Sequence, residues 1–231
     1  MQSSPPGVEE VTRAGLPAVT EGYIKKGAWN KADILLVNLA EGRLAVKDYA
    51  AKWLPIRWSG ALQLAREARA YRRLAGVPGI PRFYRVLDRH AIIIEYVAGI
   101  RLPKFHHRHG GVPHVARRIK SLLEGVHARG IIHGDLRSRD NILVTTGGDL
   151  YLIDFSSAAV FDPDTWSGRV LFPRLRRAEE KALLKWKVAL APEELTAEEL
   201  AAHRRFKRLR RLWPFNRKKD LPRTKGRNPL L

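Results

Sequence analysis

Residues Ile131–Val144 read IIHGDLRSRDNILV, placing a histidine, two aspartates, two arginines and an asparagine between apolar flanks. A carboxylate fixed on a loop by buried flanks can accept a proton from an attacking hydroxyl, and Asp135 is the candidate for that task. Asn141 stands directly before Ile142-Leu143-Val144, and its amide oxygen could ligate a hard cation. Asp154 ends the apolar run LYLI and precedes Phe155, so it is a second candidate ligand at the end of a buried strand. One general base and two oxygen ligands around a shared point are what phosphoryl transfer needs, because the protein's work there is positioning and charge neutralisation.

Several elements must position these groups. Residues 1–20 carry Pro5, Pro6, Gly7 and Pro17 and read as a flexible lead-in. EGYIKKG, KADILLVNL and RLAVKDY read as three strands, with a turn at Glu41-Gly42. Pro55 interrupts the next stretch. SGALQLAREARAYRRLAG then has a Ser59 start, helical spacing through Leu62, Ala65, Ala68 and Leu74, and a Gly76 stop. GIPRFYRVLD and HAIIIEYV are two further strands. The second half opens with the helix VPHVARRIKSLLEGVHARG, bounded by Pro113 and Gly130. NILVT and LYLIDF then form a hairpin around Gly147-Gly148, and basic helices follow Asp162. A strand-rich half before a helix-rich half gives an α+β molecule of two lobes with a cleft between them.

Bulk composition narrows the classes. The chain of 231 residues carries 43 Lys and Arg against 23 acidic residues, a formal charge of +20, which bears on partners rather than fold. Nucleic acid, an anionic membrane face and phosphorylated substrates are the candidate partners. Cysteine is absent, which excludes disulfides and thiolate metal sites and leans toward a reducing compartment. MQSSPPGVEEVTRAGL lacks a basic segment followed by an apolar core, so no secretory signal is expected, and no apolar run is long enough for a membrane span. The expected location is cytoplasmic, with peripheral attachment at the inner membrane face as a further option.

HGDLRSRDN followed by IDF resembles the catalytic loop and D-F-G metal site of the protein-kinase-like superfamily. The resemblance implies a bilobal fold with an antiparallel-sheet N-lobe and a short helical C-lobe, using ATP and Mg. It makes Lys47, in LAVKDY, the contact to the nucleotide phosphates and Glu67 the helix residue that holds Lys47. IIIEYVAG is similar to the hinge that receives adenine, which brings in Glu95 and Val97. Arg137 matches a basic position facing the transferred phosphoryl group. The nucleotide loop is thin, since KKGAWNKAD offers only Gly27, with Lys25, Lys26 and backbone amides left to cover the phosphates. In the usual pattern the metal-binding Asn follows the catalytic Asp by five residues. Here Asp140 holds that place and Asn141 comes next, so Asn141 is preferred and Asp140 is the fallback. Ser156 replaces the D-F-G glycine.

The matched lobes would span residues 21–98 and 99–202, with a basic helix and tail over 203–231. The short C-lobe resembles that of bacterial lipopolysaccharide-core kinases and of RIO-type kinases. A lipopolysaccharide-core sugar hydroxyl is therefore the first expected acceptor and a protein Ser/Thr hydroxyl the alternative, with a non-catalytic ATP-binding pseudokinase as rival. Ala191-Pro192-Glu193 is read as the start of a helix rather than the end of an activation segment. His133 is read as a brace for the loop, and His106, His107 and His109 as a loop without a metal. HRRFKRLRRLWPFNRKK has helical apolar spacing and could bind anionic lipid; nucleic acid ranks last, since no recognised module accompanies the basic patch.

Overall fold

Strand alternation decides which residues of the first half face inward. The computed structural model describes residues 7–40, 42–109, 111–136, 139–199 and 201. A single helical turn, α1 (Leu16–Val19), leads into β1 (Thr20–Lys25), β2 (Asp33–Leu39) and β3 (Gly42–Asp48). The helix α2 (Leu54–Arg73) follows, then β4 (Phe83–Asp88) and β5 (Ala91–Glu95). The five strands form one antiparallel sheet in the order β1-β2-β3-β5-β4, with Lys47 opposite Ile34 and Ile92. Because side chains alternate, Leu44 and Val46 pack on the outer face with Val37, Ala91 and Ile93, while Ala45 and Lys47 face the cleft. A one-residue slip of β3 would exchange the two sets.

The outer face is covered by the segment expected to be a loose lead-in. Val8, Val11 and Leu16 are buried there, and Arg13 forks onto Asp48 at 2.5 Å and Asp88 at 2.6 Å. On the inner face α2 packs Leu64 and Ala68 against Ile92 and Tyr49. This helix starts at Leu54, five residues before the expected Ser59, because a proline in the first helical turn gives up only an N–H that lacks a partner there anyway.

The second half continues with β6 (Gly99–Arg101), α3 (Leu102–His109), α4 (Val115–Ala128) and β7 (Ile131–Ile132). Then come β8 (Ile142–Thr145), β9 (Leu150–Leu152), β10 (Ala159–Val160) and the long α5 (Trp166–Leu190). The expected β8–β9 hairpin is present, with Gly148 at φ +83°, and β6 adds a third strand to it. α3 takes in KFHHRH, part of a stretch read from sequence as a loop; Leu102 is fully buried and anchors the helix to the C-lobe core. That core joins Ile119, Leu123 and Val126 of α4 to Ile131, Ile142, Leu152, Phe155 and Trp186.

After α5, Pro192–Glu194 forms one 3-10 turn rather than the start of a helix. The Glu194 carboxylate accepts the backbone N–H groups of Ala116 and Arg117, at the start of α4. The chain divides into residues 1–194 and 195–231. In the second unit the helix begins after Thr196, whose hydroxyl and the Glu199 carboxylate exchange bonds with each other's backbone N–H in a capping box. The expected basic helix and tail over 203–231 lie outside the described residues. No described helix is long and apolar enough to cross a membrane.

Candidate active site

A cleft of about 210 Å³ lies between the β-sheet and the β8–β9 hairpin. Lys47 reaches into it from β3. Its Nζ donates to Glu67 Oε2 at 2.7 Å and to Asp154 Oδ1 at 2.8 Å, although the residue is only 8% exposed and Glu67 only 1%. Burial opposes the charge on Lys47, but the two carboxylates outweigh it and hold the ammonium above its usual range. Burial likewise opposes the charge on Asp154, and the contact with Lys47 overrides it, so Asp154 is held well below the usual carboxylate range. Burial pushes Glu67 upward against the pull of Lys47.

Asp154 is also placed by its backbone, at φ 67° and ψ 70°. A non-glycine residue there costs roughly 1–2 kcal/mol, a strain that recurs at functional sites. Phe155 beside it is fully buried, edge-on to Tyr71 at 5.1 Å and tilted against His133 at 4.8 Å. Ser156, standing where the family pattern has glycine, adds to the lowering of the Asp154 carboxyl after Lys47.

The loop carrying Asp135 is held from several sides. His133 is buried, and its Nε2 donates to the Ile153 carbonyl at 3.0 Å while Nδ1 accepts the Asp135 N–H at 3.3 Å. That pairing needs a neutral ring, and burial lowers its pKa accordingly. Gly134 has φ +82°, and a β-carbon there would collide with the Ser157 carbonyl oxygen. Asn141 donates Nδ2–H to the Asp135 carbonyl at 2.9 Å and to its carboxylate at 3.2 Å. The amide oxygen is left as the acceptor end of the group. Asp140 turns to Arg101, 3.0 Å away.

Asp135, Asp140, Asn141, Asp154, Lys47, Glu67, Glu95 and Val97 all border the one cleft. Glu95 sits on its wall with its carboxylate spent on the Arg82 N–H at 2.9 Å, so what this stretch offers a ligand is backbone. Lys26 corrects the sequence reading: its ammonium lies 5.8 Å over the Tyr23 ring and it does not border the cleft, because neighbours along an extended chain point to opposite faces. Lys25 and Lys31 border the cleft instead. Gly27 is also placed differently. Its N–H donates to Asp33 at 2.8 Å, and a β-carbon would meet the Lys31 and Ala32 carbonyl oxygens. Arg137 lies outside the described residues.

Two supporting groups escaped the sequence reading. Glu179 of α5 accepts from the Gly134 N–H at 2.7 Å and the His133 N–H at 3.3 Å, and its Oε2 lies 2.9 Å from His127 Nε2. Trp186, two turns on, donates Nε1–H to the Leu136 carbonyl at 2.8 Å. Glu179, Ala182, Leu183, Trp186 and Leu190 form a helical stripe, and that spacing was the available signal; it was masked because Glu179 sits inside the charged run RRAEEK.

A metal ion can be tested against the donor set. The ionised Asp154 carboxylate and the free oxygen end of Asn141 border the cleft together, and hard oxygen donors of this kind fit Mg²⁺. Among the described residues no cluster of three or more His, Cys, Asp or Glu competes as a metal site.

An antiparallel-sheet lobe, a helical lobe and a Lys-Glu-Asp cluster in the cleft define a protein-kinase-like fold. Residues 49–168, just over half the chain, match the family model of the RIO domain, and the chain belongs to that family. It is similar to KEOPS complex subunit Bud32 of Pyrococcus abyssi, with 34% identity over 129 residues, covering 52% of this chain and 56% of the relative. A probable cAMP-dependent protein kinase catalytic subunit of Encephalitozoon cuniculi is 33% identical over 142 residues, covering 56% and 42%. Serine/threonine-protein kinase pak-1 of Caenorhabditis elegans is 34% identical over 85 residues, covering 35% and 15%. The chain thus spans between 15% and 56% of the length of these relatives.

Proposed function

We propose that the chain is an ATP- and Mg-dependent kinase acting on a protein serine or threonine hydroxyl. The observation that carries this reading is the convergence of Lys47, Glu67 and Asp154 on one ion-paired centre facing Asp135 and Asn141. Lys47 would hold the nucleotide phosphates, and Glu67 would keep its ammonium in place. Backbone groups of Glu95–Val97 would receive the adenine edge. Asp135 would orient the acceptor hydroxyl and take its proton as the oxygen attacks the γ-phosphorus and the bond to the β-phosphate oxygen breaks. Asp154 and Asn141 would hold Mg²⁺, which when bound neutralises phosphate charge.

The names of the relatives support a protein acceptor. Two of those above are named as protein kinases, whereas the lean toward a lipopolysaccharide-core sugar has no support from them. Incubation with γ-labelled Mg·ATP, a mixed protein substrate and lipopolysaccharide core in parallel tests both parts of the proposal. Label on serine or threonine that disappears in Asp135→Asn supports it. Label on the sugar alone would overturn the acceptor, and full transfer by Asp135→Asn would overturn the site.

A further inference from the structure

The outer face of α2 differs from a solvated helix face. Leu54, Trp58 and Leu62 recur at every fourth residue and so lie in one row, with Trp53 just before the helix. The β1–β2 loop, where Trp29 protrudes, is tied to the start of this helix by Lys52, which binds the Gly27 carbonyl and Asp33. These five apolar side chains are between 61% and 74% exposed. Single exposed apolar residues are ordinary, but a row of leucine and tryptophan on one helix marks an interaction surface.

The charges around the row have one sign. The row continues into Arg66, and Arg69 follows one turn on; both are exposed, and neither forms an ion pair among the described residues. Arg57, Arg72 and Arg73 complete the set, while Glu67, the helix's one acid, points into the core. The first turn holds no acidic residue, so the positive end of the helix dipole adds to the same field.

We propose that this face docks an acidic amphipathic helix of a partner protein. The apolar stripe of the partner would lie along Leu54, Trp58 and Leu62, and its carboxylates would meet Arg66 and Arg69. A row at four-residue spacing is the ridge that fits the groove of a second helix. A lipid surface suits it less. The opposite side of α2 is buried through Leu64, Glu67, Ala68 and Tyr71, so the helix cannot sink into a bilayer, and the cations extend the apolar row instead of flanking it. A second copy of the chain would bring together two molecules each of charge +20. The proposal is independent of phosphoryl transfer, since none of these side chains borders the cleft.

The test uses the full chain carrying Trp58→p-benzoylphenylalanine, irradiated in the cells that express it, with the cross-linked segment sequenced by mass spectrometry. Leu62→p-benzoylphenylalanine is an independent probe on the same row. The expected product is a protein segment of net negative charge with apolar residues at three- and four-residue spacing. A synthetic peptide of that segment should bind the purified chain, and binding should weaken at least about tenfold both in Leu62→Ser and in Arg66→Glu/Arg69→Glu. Nucleotide binding should be unchanged in these variants. Cross-links only to lipid or to the chain itself, no cross-link from either position, a segment without acidic residues, or affinity untouched by the charge reversal would each overturn the proposal. So would binding to vesicles containing phosphatidylglycerol that Leu62→Ser abolishes while peptide binding is absent.

Discussion

Lys47→Met removes the ammonium that Glu67 and Asp154 share while keeping most of the apolar stem. Glu67 then has a choice of two unfavourable states. If it stays ionised in its 1% exposed position, the uncompensated charge costs about 3–5 kcal/mol. If it takes a proton at pH 7 against an ordinary pKa near 4.3, the cost is about 3.7 kcal/mol. The cheaper state prevails, so the variant should lose about 3–4 kcal/mol at pH 7. Asp154 adds little, since its side chain is partly open to water and can rehydrate. The pH dependence is the sharper part of the prediction. Folded Lys47→Met binds a proton at Glu67 that the unfolded chain does not bind above about pH 5, so its stability must rise as pH falls. The deficit relative to wild type should shrink by about 1.4 kcal/mol per unit between pH 7 and 5. Lys47→Met/Glu67→Met should recover most of the loss at pH 7, because an apolar pair can replace a buried ion pair at little cost. Urea unfolding followed by tryptophan fluorescence, with the slope on denaturant checked for constancy, measures all three chains. A deficit below about 1 kcal/mol, a deficit independent of pH, or a double variant no better than the single would refute the reasoning.

The other predictions concern the loop and its supports. Asn141→Ala should raise the Mg²⁺ concentration needed for half-maximal transfer, whereas Asp140→Ala should leave it unchanged; a metal titration of both variants decides between them. Glu179→Gln should destabilise the fold by about 1–3 kcal/mol, since an amide cannot accept from both the Gly134 and His133 N–H groups and also serve His127. It should also lower kcat with little change in the KM for ATP, which steady-state kinetics reads directly. His133 is held neutral by burial, so the unfolded chain takes up a proton that the folded one resists, and stability should fall as pH drops below about 6.5. His133→Asn should flatten that part of the profile, read as the difference between the two chains in urea unfolding at pH 7 and pH 5.

The polar loop around Asp135 and the core of the sheet were legible because their signals are local. An apolar run bounded by turns reads as a buried strand wherever it falls, and β3, β5 and the β8–β9 hairpin appear where that rule places them. Lys47, Glu67 and Asp154 were legible only as a set, since each alone could have been a solvated charge. Misreadings arose where tertiary context overrides local preference. Pro5, Pro6, Gly7 and Pro17 looked like a loose arm, yet Val8, Val11 and Arg13 have partners on the sheet that no local pattern reveals. KFHHRH lacks helix signals of its own and is helical because Leu102 is captured by the core. Lys26 and Lys31 differ only in which side of the chain they leave, a matter of strand phase and loop path.

The loop departs from the usual spacing by one residue, with Asp140 and Asn141 side by side where the family pattern has a single asparagine. Both ends of the segment are pinned: Leu136 by the Trp186 indole, and Ile142 by its place opposite Leu152. Between these anchors Arg139–Asn141 forms a 3-10 turn. Successive residues on such a turn point about a third of a revolution apart, so Asp140 and Asn141 cannot both face Asp135. Asn141 is the one facing it, bonded to both the carbonyl and the carboxylate, and Asp140 is turned out to Arg101. The electrostatics agree with this choice. A second carboxylate in place of the Asn141 amide would lie against Asp135 and repel it, and it could not donate the two hydrogen bonds that orient the proposed base. An amide supplies both a donor to Asp135 and an oxygen for a cation. The count along the chain is changed, yet the residue that faces Asp135 is an asparagine, which donates to it and would present an oxygen to the proposed cation.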